Sequence, residues 1–180
     1  MVERTNTLIV GGGQAGLAMS EHLHNNKIDH IIIERDRIVE RWRSCRWDSL
    51  VANGPAWHDR FPTFEFSNIH PDSFPSKERV VQYFEEFAKK INAPIHLNVN
   101  VEEVVKLSNN NGFKIITSDG IYEAKNIIAA TGAFQEPIIP NIFPKNIPLK
   151  QMHSQFYKNP KQLIEGGVLV VGSGSSIKSS

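Results

Sequence analysis

A short apolar run, Thr7 to Val10, is broken at once by Gly11-Gly12-Gly13-Gln14-Ala15-Gly16. Ala15, Ala18, Met19 and Leu23 then recur at helical spacing until a polar Asn25-Asn26-Lys27 turn. His30-Ile31-Ile32-Ile33-Glu34 is continuous and β-branched, as in a strand covered on both faces of a parallel sheet. The pattern predicts a strand–glycine turn–helix–strand unit over the first 34 residues. From Asp36 to Pro75 the periodicity dissolves into a long aromatic and proline-rich connection, a length that points to function. Ser76 then caps a predicted helix whose face carries Val80, Val81, Phe84, Phe87, Ala88 and Ile91, ended by Asn92-Ala93-Pro94.

Three strand-like runs follow, Ile95 to Val101, Val104 to Leu107 and Phe113 to Thr117, with turns at Asn109 to Gly112 and at Asp119-Gly120. They predict a small antiparallel meander. A buried strand from Asn126 to Thr131 comes next, then a proline-rich passage, then a second strand, Val168 to Val171, that meets a second glycine turn at Gly172-Ser173-Gly174. The fold class expected is α/β, a Rossmann-like dinucleotide-binding fold carrying a meander.

Composition narrows the field. The chain has 180 residues, enough for roughly one domain of about 150. Its 20 basic and 19 acidic side chains leave a net charge of +1, so bulk charge offers no argument for nucleic acid or a membrane surface. One cysteine, Cys45, excludes an internal disulfide and a dithiol redox pair. Leu8-Ile9-Val10 is too short for a signal-peptide core, and no run approaches the ~20 apolar residues of a membrane span. A cytoplasmic protein is expected. No metal site is expected either: His22 and His24, two apart on a helix, point about 200° from one another.

The chemistry begins at the first glycine turn. A strand ending in Gly11-x-Gly13-x-x-Gly16 and opening a helix sets backbone N–H groups against a pyrophosphate, because glycine allows both the tight turn and the close approach. Glu34 closes the second strand 18 residues beyond Gly16, where a carboxylate accepts from adenosine ribose hydroxyls and repels a 2′-phosphate. FAD and NAD share this fingerprint. The second glycine turn and the Ala130-Thr131-Gly132 segment favour a flavoprotein with two nucleotide domains over a plain NAD-dependent dehydrogenase.

With these motifs, the run Arg46 to Leu50, Asn53-Gly54-Pro55 and His153-Ser154-x-x-Tyr157, the chain resembles the flavin-containing monooxygenases in the broad sense over nearly all its length. The resemblance implies an FAD- and NADPH-using enzyme that oxygenates a nitrogen, sulfur or carbonyl centre of a small-molecule substrate through a C4a-hydroperoxyflavin. It assigns Gly11, Gly13, Gln14, Ala15, Gly16, Glu34, Arg35, Trp42, Thr131 and Gly132 to FAD, Gly172 and Gly174 to NADPH, and Asn53 to the reacting flavin position. His153 and Tyr157 match a fingerprint joining the two nucleotide domains, with the histidine in a structural part. On this reading residues 1–148 are the amino-terminal portion of the FAD domain, and 149–180 a linker and the start of an NADPH domain not completed before Ser180. A non-catalytic FAD-binding fragment is the alternative. Departures are visible: Val39 and Glu40 replace two loop glycines, which predicts a different course for that loop. Ile147-Pro148-Leu149 stands where Phe-x-Gly is usual, and Ile177 where a small residue is.

Overall fold

A computed structural model describes residues 2–108, 111–142 and 149–172, and its strands form one six-stranded sheet in the order β3-β2-β1-β6-β5-β4. Strands β1 (Val2–Val10), β2 (His30–Glu34), β3 (Ile95–Leu97) and β6 (Gly120–Ala129) run parallel, and β5 (Phe113–Thr117) and β4 (Val101–Lys106) continue it antiparallel beyond β6. Among the described residues three helices, α1 (Gln14–Asn25), α2 (Glu40–Ser44) and α3 (Lys77–Lys90), accompany the sheet together with two short 3-10 turns at Ser154–Phe156 and Pro160–Gln162. Alternation along each strand divides the core: Ile9 and Ile32 join Leu17 of α1 and the aromatic face of α3, while Leu8, Ile31 and Ile33 join Ile115, Tyr122 and Ala124.

Several expected elements are redrawn. The run Ile95 to Val101 is two strands, not one: β3 pairs with β2 at one rim, and the meander is built from β4, β5 and β6 at the other. The expected third run, Phe113 to Thr117, is the middle strand β5, and the strand beyond it starts at Gly120, takes in most of the expected strand Asn126 to Thr131 and ends at Ala129 as β6. β1 begins at Val2, ahead of its apolar run, because Val2 to Thr5 pair with Ile121 to Ala124 and Arg4 meets Glu123 at 2.9 Å. On α1 the fully buried side chains are Leu17 and Ser20, while Ala15 is exposed. Val168 to Val171 form no strand; all four side chains are exposed. The Asn109-Asn110 part of one predicted turn lies outside the described residues.

One side of β6 is only half used. Its pairing with β5 stops at Phe113 opposite Ala124, whereas β1 follows it to Ala129. From Asn126 to Ala129 the strand is therefore paired on one side alone among the described residues.

The connection from residue 45 to 75 is irregular but anchored. Phe61, Phe64 and Phe66 stack on Tyr83 and Phe87 of α3, with Phe61 and Phe87 ring centres 3.9 Å apart. The Tyr83 hydroxyl accepts from Phe61 N–H at 2.7 Å and donates to Phe64 O at 2.5 Å, and burial pushes its pKa up. Tyr83→Phe keeps the ring yet orphans a buried N–H, a loss of about 1–3 kcal/mol. Urea denaturation of this variant checks that value; a change below about 0.5 kcal/mol would mean the hydroxyl is dispensable.

Candidate nucleotide-binding site

The glycine turn is packed from below and open from above. Gly11 has φ +113°, donates its N–H to Ile33 O at 2.8 Å, and a Cβ there would lie 2.4 Å from Ala130 O. A Cβ on Gly16 would lie 1.9 Å from Gly11 O, so this helix can approach the strand only with glycine at that place. At Gly13 a Cβ would meet nothing within 4 Å. Gly13 precedes α1, whose start has no side-chain cap and no acidic residue in its first turn. The first N–H groups of a helix lack intrahelical acceptors, and here they sit at the positive end of a 12-residue dipole with Gln14 and Ala15 exposed. This combination suits an anion.

Glu34 lies beside the turn as predicted, with a duty the spacing did not show. Its Oε2 accepts from Gly12 N–H at 2.6 Å and its Oε1 from Asp36 N–H at 2.9 Å, so the carboxylate itself braces the loop. Each oxygen keeps a further lone pair for a ribose hydroxyl. Arg35 donates to Gln135 Oε1 at 3.0 Å, and the Gln135 amide donates to Thr131 O. Thr131 and Gly132, the latter at φ +81°, follow β6 just as Gly11 follows β1. The structure thus brings Gly11, Gly13, Gln14, Ala15, Gly16, Glu34, Arg35, Thr131 and Gly132 to the carboxyl ends of parallel strands, where open α/β sheets bind ligands.

The loop carrying Val39 turns on a left-handed residue. Its backbone keeps the left-handed shape that glycine would favour, with Val39 at φ 51° and ψ 34° and its N–H donating to Gly12 O at 3.3 Å. A β-branched residue there is strained by roughly 1–3 kcal/mol. Burial of the side chain, 6% exposed in the core below the turn, offsets that strain. Trp42 stands on α2 and packs against the same core, with the Arg46 guanidinium 5.9 Å from its ring centre. Arg46 makes no ion pair among the described residues; burial, and then Arg41, hold its pKa below the ordinary value.

The His153 to Tyr157 stretch is stapled to this loop. His153 Nδ1 accepts from Gln155 N–H at 3.1 Å, capping a 3-10 turn, and Gln155 Oε1 accepts from Arg41 at 3.0 Å. Asp48 N–H donates to Lys158 O at 2.8 Å and Asn159 donates to Asp48 Oδ2 at 2.7 Å; that bond, then Lys77, holds the Asp48 carboxyl below its usual range.

Asn53 is exposed on its turn, and its side chain makes no hydrogen bond among the described residues. Its neighbour Ala52 is buried in the core that contains Ile9, Leu17 and Val39, which ties the base of this loop to the glycine turn. Gly172, at φ +147°, follows an exposed segment and is the last of the described residues; Gly174 lies outside them. Gln135 and Val39 had no signal in the spacing. Gln135 joins Arg35, 100 positions away, to the Thr131 turn, and valine argues against a left-handed turn.

The model of the family described as pyridine nucleotide-disulphide oxidoreductase matches residues 8–177. An uncharacterized oxidoreductase CzcO-like from Geobacillus kaustophilus is 41% identical over 95% of this chain and 49% of its own length. The probable indole-3-pyruvate monooxygenase YUCCA4 of Arabidopsis thaliana is 31% identical over 94% of the chain and 41% of its own length. The chain spans about half the length of the curated relatives it matches. Among solved structures, the bacillithiol disulfide reductase Bdr from Staphylococcus aureus superposes with a TM-score of 0.71 at 23% identity, covering 81% of this chain and 44% of that one. The flavin-containing monooxygenase from Stenotrophomonas maltophilia does so with 0.68 at 23%, covering 77% and 41%. These two establish likeness of fold.

Proposed function

Because the chain belongs to the pyridine nucleotide-disulphide oxidoreductase family, we propose that it binds FAD at its first glycine turn and forms the flavin-binding, amino-terminal part of an NADPH-dependent monooxygenase. The observation that carries the reading is the open space at Gly13 in front of an uncapped helix start, with Glu34 at the end of the next strand. FAD, when bound, supplies redox chemistry that side chains lack. The N–H groups of Gly13, Gln14 and Ala15 hold its pyrophosphate, Gly11 and Gly16 let helix and strand close beneath it, and the remaining lone pairs of Glu34 accept from the ribose. Arg35, Thr131 and Gly132 line the rim of the same site. Trp42 would keep water from a flavin bound here, and Asn53 would offer it an amide donor.

On this reading residues 1–148 belong to the FAD domain, while 149–180 lead into an NADPH domain at Gly172 and Gly174. Molecular oxygen and a small molecule with a nitrogen, sulfur or carbonyl centre are the co-substrates. The curated relative named as a monooxygenase supports the reaction class. Among the described residues no helix is long and apolar enough to cross a membrane.

Titration of the chain with FAD and, separately, NADP tests the site. FAD is expected to bind tighter, since the Glu34 carboxylate repels a 2′-phosphate. Tighter binding of NADP would sink the assignment. Glu34→Gln should narrow the gap, and it also loosens the Gly12 brace.

A further inference from the structure

The turn that presents Asn53 is held by a pair of side chains, His58 and Asp59, that the reading above leaves idle. Asp59 Oδ2 accepts from Gly54 N–H at 2.7 Å, so the carboxylate grips the peptide that joins Asn53 to Gly54. Its other oxygen, Oδ1, meets His58 Nδ1 at 2.8 Å. The backbone closes the same small loop a second way, for His58 N–H and Asp59 N–H both donate to Pro55 O, at 2.9 and 3.0 Å. Outside the loop, Ala52 N–H donates to Pro75 O and Ala56 N–H to Ser73 O, so both shoulders of the turn are pinned while Asn53 projects between them.

The glycine is part of the device. A Cβ on Gly54 would fall 2.6 Å from Asp59 Oδ1 and 3.0 Å from His58 Nδ1, so only glycine lets the carboxylate come this close. A generic Asn-Gly turn uses its glycine for a positive φ; Gly54 is not among the positive-φ glycines, so the reason for glycine here is contact. A carboxylate accepting a backbone N–H and a ring N–H makes charge-assisted bonds, roughly twice as strong as neutral ones. Such bonds suit a loop that must hold a side chain outward without burying it.

We propose that Asp59 is a positioning residue for Asn53: its carboxylate fixes the Asn53–Gly54 peptide, and His58 fixes the carboxylate. This rests on the reading of Asn53 as the residue that faces the reactive flavin position. Asp59 acts through the peptide and touches neither FAD nor substrate.

The test uses the chain with FAD alone as probe and reads two things, hydrogen exchange of the Gly54 amide and the change in the flavin absorption spectrum on binding. In Asp59→Ala, Gly54 exchange is expected to rise at least tenfold, and the spectrum to lose the same component that Asn53→Ala removes. Asp59→Asn retains an acceptor oxygen and should keep both signals near wild type. Gly54→Ala leaves Asp59 and His58 chemically intact yet blocks their approach, so it should reproduce Asp59→Ala; it also carries the test should Asp59→Ala fail to fold. Unchanged Gly54 exchange in both Asp59→Ala and Gly54→Ala would overturn the clamp. Faster exchange with an unchanged flavin spectrum would overturn the positioning role. If Asn53→Ala itself leaves the spectrum unaltered, the reading of Asn53 fails, and the exchange data still decide whether Asp59 holds the turn.

Discussion

Gly16→Ala is expected to break the glycine turn and take a large share of the fold's stability with it, whereas Gly13→Ala leaves the fold standing and weakens FAD binding. At Gly16 the new methyl carbon would sit 1.9 Å from Gly11 O, a backbone atom fixed at the end of β1. Neither α1 nor β1 can retreat without opening the core around Ile9 and Leu17, both fully buried. Overpacking of this kind costs about 3 kcal/mol or more, a large share of the ~5–15 kcal/mol that holds a domain folded. At Gly13 the same carbon meets nothing within 4 Å, and the backbone there is extended at φ −89° and ψ −166°, a shape alanine adopts freely. Its stability should change by no more than about 1 kcal/mol. The space it fills is the space assigned to pyrophosphate, so FAD affinity should drop at least tenfold. Urea denaturation paired with FAD titration separates the two variants; wild-type FAD binding by Gly13→Ala would show that the cofactor does not approach the helix start.

Phe87→Ala should cost about 3–5 kcal/mol, the range for emptying a buried aromatic position. Phe87 is fully buried, its ring centre lies 3.9 Å from that of Phe61 and 5.8 Å from that of Phe64, and the aromatic face of its helix carries the Phe61 to Phe66 part of the irregular connection. The loss is therefore felt twice, as a cavity under α3 and as a loosened loop between residues 51 and 66. Phe66→Ala is the control: its ring stacks on Tyr83 at 3.9 Å from the rim of the cluster and is only half-buried, so half the loss or less is expected. Equal losses in the two variants would mean that the cluster has no centre, and that the loop is held by its backbone hydrogen bonds instead.

What could be read from the sequence was what backbone sterics dictate locally. Gly11, Gly16 and Glu34 are legible because the turn admits few other residues, and α3 because Ser76 and six apolar positions agree on one helix; Ser76 Oγ does accept from Arg79 N–H. The placement of β3 was not legible: three residues carry too little pattern to say which rim of the sheet they join. Val2 to Thr5 look like a polar leader, and only their partners on β6 make them a strand. Val39 hid a glycine-like turn because the strain is offset by a core that the local sequence does not announce. The Asp59 clamp was invisible for a related reason: an acidic residue five positions after a glycine reads as solvated surface until the loop folds back.

The half-paired side of β6 has a bearing on how the sheet meets other chains. Ala130 N–H donates to Val10 O, so by alternation Ile127 and Ala129 turn their own amide and carbonyl groups away from β1, toward the side where β5 has already ended. Four residues at ~3.3 Å each make a notch about 13 Å long in the middle of the sheet. The outer rim is guarded, since β4 carries Glu102, Glu103 and Lys106 and a register irregularity between Val101 and Glu103, features that discourage edge-to-edge association. Among the described residues the notch has no such guard: Ile127, Ile128 and Ala129 are uncharged. Among the described residues the sheet thus carries its charged, irregular strand at the β4 rim and leaves unpaired backbone groups at its centre, next to the first glycine turn.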